Sequence, residues 1–192
     1  MNTRFTETHP HTAAAKAWKA QLARPLLSEA PLFVPGHQRQ ARILYVEGDP
    51  QLRTLGKLVL LRAGYDVHAA SHGAAAWVAL NQEPYDLLIT EHELPRMTGL
   101  ELAASVRHAE MNLSIVITAA FFDPTWRASW AQLKITMYLA KPYAVDSLLS
   151  AVKETIVSGG RVRPVDEDAP GPGSILHQLS HVRPHRHGGI ND

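Results

Sequence analysis

Asp86-Leu87-Leu88-Ile89-Thr90-Glu91-His92-Glu93-Leu94-Pro95-Arg96-Met97-Thr98-Gly99 passes from an almost uninterrupted apolar run into acids, a Pro and a Gly. A short apolar run without polar alternation is the pattern of a strand buried on both faces, and Pro95 to Gly99 is turn chemistry that leads into a helix. The stretch therefore places the Glu91 carboxylate where a central strand ends. Outward from it, short apolar runs alternate with longer amphipathic ones. Strands are expected at 43–46, 65–69, 86–90, 113–118 and 136–139, and helices at 50–62, 71–80, 98–108, 124–133 and 143–157. Asp49 is placed to cap the first helix with Pro50 at its first position, Asp123 precedes the fourth, and Ala63-Gly64 and Gly159-Gly160 end the first and last. Alternation of this kind predicts an α/β fold with a parallel sheet and crossover helices. In such sheets chemistry gathers at the carboxyl ends of the strands. Those ends deliver Glu47-Gly48-Asp49, Glu91, Thr118-Ala119-Ala120 and Lys141-Pro142.

The chain has 192 residues, 45% of them hydrophobic and 19% charged, enough for one domain with length to spare. Lys and Arg total 19 against 18 acids, a net charge of +1, so no global attraction to nucleic acid, membrane or acidic substrate is implied. Without Cys there is no disulfide framework, thiolate zinc site or cysteine nucleophile. The segment 13–27 is broken by Lys16, Lys19, Gln21, Arg24 and Pro25, too polar to span a bilayer, and the protein is expected to be soluble and cytoplasmic. Residues 1–41 form an extension in which 12–23 reads as a helix with Ala15, Trp18 and Leu22 along one stripe. Residues 42–158 form the domain. Residues 159–192 are rich in Pro, Gly and His, and from Arg161 onward their composition predicts disorder. His177 and His181 have helical i, i+4 spacing, but without Cys or a third defined ligand, incidental metal affinity outweighs a built site. Trp18 and Trp77 read as packing residues, and His92 is given no role.

The sequence around Glu47 and Glu91 resembles the receiver domains of response regulators. Ile43-Leu44-Tyr45-Val46-Glu47-Gly48-Asp49-Pro50 is similar to their opening strand and acidic turn. Residues 86–91 with Leu94-Pro95 and Gly99 resemble their acceptor strand and loop. Ile115-Val116-Ile117-Thr118-Ala119 resembles the strand that ends in a switch Thr, and Tyr138-Leu139-Ala140-Lys141-Pro142-Tyr143 the block with a switch aromatic and a Lys-Pro pair. Each motif alone is weak, and the four in order are specific. The resemblance implies a flavodoxin-like (βα)5 doubly wound sheet of strand order 2-1-3-4-5 between flexible N- and C-terminal extensions. It also implies a single-domain regulator in two-component phosphorelay signalling, not an enzyme. Its implied partners are proteins, namely a histidine kinase, another regulator or an effector, and it allows homodimers.

In that family clustered Asp residues bind Mg²⁺ and position a phosphoryl group for the acceptor Asp. This chain departs from the pattern. The acceptor position holds Glu91, the acidic pocket is reduced to Glu47 and Asp49, and the direct metal-ligand position is Gly48. No cofactor is expected, and Mg²⁺ binding is disfavoured. Glu91 extends its carboxylate about 1.5 Å past the reach of Asp, which disfavours phosphoryl acceptance. The resemblance assigns Thr118, Tyr138 and Lys141 as switch and phosphate-sensing positions. Bound to Thr118 and Lys141, Glu91 would partly imitate the phosphorylated acceptor. Trp126, Trp130 and Tyr143 are candidate partner-surface residues, with Ala128, Leu133 and one of the two Trp side chains expected to face the sheet. The alternatives are a weakly phosphorylatable regulator, or one associated with DNA or a transcription complex through its extensions. A flavin site is disfavoured by the acidic turn at Glu47-Gly48-Asp49.

Overall fold

Periodicity of two along the strands sets which side chains enter which layer. In β1 (Arg42–Val46), Ile43 and Tyr45 point to one face and Leu44 and Val46 to the other, and all four are buried. The computed structural model describes residues 40–121 and 123–159. Beyond β1 these form α1 (Pro50–Arg62), β2 (Asp66–Ala70), α2 (Gly73–Gln82), β3 (Leu87–Glu91), α3 (Gly99–His108) and β4 (Ser114–Ala119). A 3-10 turn (Pro124–Trp126), α4 (Arg127–Gln132), β5 (Met137–Ala140) and α5 (Val145–Val157) complete the order. The five strands are parallel in the order β2-β1-β3-β4-β5, the flavodoxin-like arrangement. The expected helix at 12–23 and the tail beyond 159 lie outside the described residues.

Each face of the sheet has its own core. On one side Leu44, Val46, Leu88, Ile115 and Ile117 meet α2, α3 and Trp130 of α4. On the other Ile43, Tyr45, Ile89 and Val116 meet Val59 and Leu60 of α1 and Val145, Leu148 and Val152 of α5. All five residues of β3 are buried, which makes it the central strand that its unbroken apolar run implied. Register then aligns the carboxyl ends. Val46 pairs with Thr90, Glu91 with Thr118, and Ala119 with Ala140.

The caps explain most departures from the expected boundaries. Asp49 accepts hydrogen bonds from the Gln51 and Leu52 N–H groups at 2.7 and 2.9 Å, so α1 starts at Pro50 as expected. His72 accepts from the Ala75 N–H at 3.1 Å, which delays α2 to Gly73. Thr98 and Glu101 form a reciprocal capping box on α3. The expected fourth helix, 124–133, is divided. Asp123 accepts from both the N–H and the hydroxyl of Thr125, and its carbonyl accepts from the Trp126 N–H at 3.0 Å, so the first turn is wound as 3-10 and α4 keeps six residues. The last helix begins at Val145 rather than at 143, because Ala144 is extended and takes the N-cap.

Gly56 of α1 lies so close to Tyr45 that an added Cβ would stand 2.5 Å from its ring. Gly56→Ala is expected to lose about 1–3 kcal/mol through overpacking, of which helix propensity returns up to ~1 kcal/mol. Urea unfolding would measure it, and the loss should shrink in a Tyr45→Leu background.

Candidate functional site

At the aligned strand ends, β1 runs directly into Glu47 and β3 finishes on Glu91, with 1% and 6% of these residues exposed. From the turn after β5 the Lys141 ammonium reaches both, at 2.7 Å from Glu47 Oε2 and 2.5 Å from Glu91 Oε1. Each carboxylate takes one further backbone donor. The Asp49 N–H meets Glu47 Oε1 at 3.1 Å and the Gly48 N–H meets Glu91 Oε2 at 3.0 Å. The absent side chain of Gly48 leaves room beside the longer acid, since an added Cβ would stand 3.2 Å from Glu91 Oε2 and one of the two would shift by a few tenths of an ångström. Arg53, one turn into α1, donates to the Glu47 and Gly48 carbonyls at 2.8 and 3.1 Å and pins the loop.

The three ionisable groups shift one another. Burial pushes the Glu47 carboxyl up to about 7, more than Lys141 can counter. Burial also acts to raise Glu91, but its hydrogen bond with Glu47 and the Lys141 charge outweigh that and hold it below the usual range. Burial acts to lower Lys141, and the two acids outweigh it and raise it.

These contacts do not suit the Mg²⁺ that the fold family implies. A magnesium ion demands a near-octahedral set of oxygen ligands, and here both acids are spent on one ammonium and on backbone N–H groups. Among the described residues no group of three or more His, Asp or Glu side chains is arranged to hold a metal ion. Asp49 is committed to capping α1.

The remaining expected positions divide. Tyr138 is half-buried, donates its hydroxyl to the Ala119 carbonyl at 3.2 Å and stands edge-on to Trp130, with ring centres 5.4 Å apart. Thr118 is 1% exposed and sits beside Glu91 in register, yet its hydroxyl makes no hydrogen bond to the Glu91 carboxylate, contrary to the expected Thr118 contact. Trp130, expected among partner-surface residues, is 3% exposed, because the short α4 turns it into the core, while Ala128, expected to face the sheet, is exposed. Tyr143 is also turned partly inward, its hydroxyl 3.5 Å from that of Tyr45, and burial raises its pKa to about 12. Trp126 is half-buried and lies on His92, with ring centres 4.0 Å apart, and near the exposed Phe121 at 5.7 Å. The contacts of Arg53 and His92 were not foreseen. Arg53 had one signal, a cation in the first helical turn after the acidic loop.

The sequence pattern of the response regulator receiver domain matches residues 43–153, more than half of the chain. The chain belongs to the response regulator receiver domain family. Receiver domains are signalling modules of two-component phosphorelays that work through histidine kinases, other regulators or effectors. This receiver is 28% identical over 117 residues to the response regulator receiver protein CpdR of Brucella abortus, covering 61% of this chain and 98% of that one. It is 29% identical over 118 residues to the transcriptional regulatory protein GlrR of Escherichia coli, covering 62% of this chain and only 27% of GlrR. Among solved structures it resembles the response regulator TrrA of Thermotoga maritima in complex with Mg²⁺ and beryllofluoride. The TM-score is 0.53 and the identity 30%, over 60% of this receiver and 98% of TrrA. No described helix is long and apolar enough to cross a membrane.

Lys141→Met would leave two buried carboxylates without a cation, at an expected cost of about 3–5 kcal/mol at mildly alkaline pH. The raised pKa of Lys141 means its contribution is fully present below the ordinary value of 10.5 and is lost only above its folded value. The variant should recover stability as pH falls and the acids protonate, which urea midpoints across pH would show.

Glu47 acts in the opposite sense. Its folded pKa lies above the ordinary 4.5, so its contribution declines as pH rises from there to about 7. Glu47→Gln should remove that decline, about 1.4 kcal/mol per pH unit at most.

Proposed function

We propose that this receiver is a degenerate single-domain response regulator that works by binding protein partners without phosphorylation at an Asp acceptor, and that it is not an enzyme. The observation that carries the reading is the position of Lys141, which holds Glu91 and Glu47 together where the family places a metal and a phosphoryl group. Lys141, at the position of the family's own lysine, is the cation that both acids meet. Glu91 stands in part for a phosphorylated acceptor, through Lys141 and the Gly48 N–H rather than through Thr118.

Two further observations bear on output. Tyr138 is tied to the β4 end by its bond to Ala119, and the Lys141 N–H donates to the same carbonyl at 2.8 Å. The acid pocket and the Trp130 side of α4 therefore share one acceptor. Phe121, 51% exposed, and Trp126 offer an aromatic surface for a histidine kinase, another regulator, an effector or a second copy of the chain. A cytoplasmic location belongs to the same reading, and the balanced charge argues against nucleic acid as the partner.

The test is a titration with Mg²⁺ and beryllofluoride read by Trp fluorescence, beside labelling with acetyl phosphate. The wild type should stay silent in both, and the Gly48→Asp, Glu91→Asp double variant should regain a saturable response. Metal-dependent labelling of wild-type Glu91 with a fluorescence change would sink the reading.

A further inference from the structure

The charge count of the pocket is odd. Glu47 and Glu91 converge on a single ammonium, and among the described residues no other cation forms a hydrogen bond to either carboxyl. The surrounding elements bring no second cation to the pair among the described residues. From α1, Arg53 donates to main-chain carbonyls instead. From the β1–α1 loop, Asp49 spends its carboxylate on helix N–H groups. After β3, His92 packs at a tilt against Trp126 and Glu93 is exposed. β4 offers Thr118, which does not ionise, and Tyr45 and Tyr143 bring only neutral hydroxyls held to each other. With both acids ionised the group would carry a net charge of −1 in a largely buried site. Buried carboxyls that share a site relieve such a conflict by sharing one proton.

We propose that the ligand exchanged by this pocket is a proton, held between Glu47 and Glu91 beside Lys141, so that the domain responds to pH through the site its family uses for phosphoryl groups. The inference rests on the reading that this pocket does not carry out phosphoryl transfer. On release, the Glu47 O–H bond breaks, the proton passes to solvent buffer, and the pocket goes from neutral to −1. The deprotonated pair presents two full negative charges to Lys141, closer to the charge of a phosphoryl group than Glu91 alone. Burial sets the Glu47 transition near 7, against an ordinary 4.5. The titration belongs to the pair, since each carboxyl feels the other.

The pocket is wired to both Trp side chains of the α4 region. The Lys141 N–H and the Tyr138 hydroxyl meet on the Ala119 carbonyl, and Tyr138 touches Trp130. The His92 N–H meets the Thr118 carbonyl at 2.8 Å, and its ring lies on Trp126. A change in the charge of the acid pair beside Lys141 is therefore felt where fluorescence can report it.

The experiment is carbon-13 NMR of the full chain labelled at the Glu carboxyl carbons, titrated from acid to mildly alkaline pH, with Trp fluorescence on the same samples. One Glu carbon should titrate near 7, with a fluorescence step at the same midpoint. Both should vanish in Glu47→Gln and persist in His92→Gln, which removes the imidazole whose own protonation would act on Trp126. Should Glu47→Gln fail to fold, Glu91→Gln must displace the neutral transition, because it removes the partner that shares the proton. Every Glu carbon titrating in the ordinary range, or a neutral transition that survives Glu47→Gln, would overturn the proposal. Acetyl phosphate labelling of the same wild-type sample separates the two readings. A labelled protein that still titrates near 7 ends the phosphorylation-independent reading and keeps the proton site. An unlabelled protein with ordinary carboxyls ends the proton site alone.

Discussion

One ammonium between two buried acids is the constraint on which the arrangement of this receiver depends. Lys141 arrives from the turn after β5, Glu47 and Glu91 from β1 and β3, so one ion-pair cluster spans three of the five strand ends. Buried ion pairs are poor sources of net stability, since desolvation consumes most of their attraction. They are demanding about geometry, however, because any displacement leaves a charge unpaired. The cluster thus acts as a gauge of strand alignment at the end of the sheet where the loops meet. The two hydrophobic cores hold the layers together, and the cluster specifies how the loops close over them.

On the proposed reading, the cation that this site relies on is a side chain rather than a divalent ion, which changes what the site can exchange with its surroundings. A metal ion is lost and regained, and its occupancy depends on concentration. An ammonium is tethered, so its local concentration does not vary and only its geometry and the protonation of its partners remain adjustable.

Most of the fold was legible because its signals are local. The unbroken apolar run of β3, the Asp49-Pro50 start of α1 and the alternating faces of β1 each follow from residues adjacent in sequence. The end of β3 was misjudged by one residue, since an acid reads as loop until a lysine fifty positions away is known to cover it. The fourth helix was misread for a related reason. Its apolar spacing suits a longer helix, but the Asp123 side chain competes for the first N–H groups and tightens the entry, which moves Trp130 inward and Ala128 outward. Of the candidate site, motif order brought Glu47, Glu91 and Lys141 to one end of the sheet, where the structure places them in contact. Which of its members bond to one another was not legible, because Thr118 and Lys141 are equally near Glu91 in the pattern and differ only in where their polar atoms point.

The close approach of Gly48 to Glu91 carries a consequence for how such a site can change over time. A side chain at 48 would press on the Glu91 carboxylate and, if acidic, would add a third anion to one lysine. Shortening Glu91 first would draw its carboxylate back from Lys141 while position 48 still lacked a metal ligand. Each single step away from the present pair is therefore penalised before the second can repair it. Positions 48 and 91 are therefore coupled, so that the effect of a change at one depends on the residue at the other.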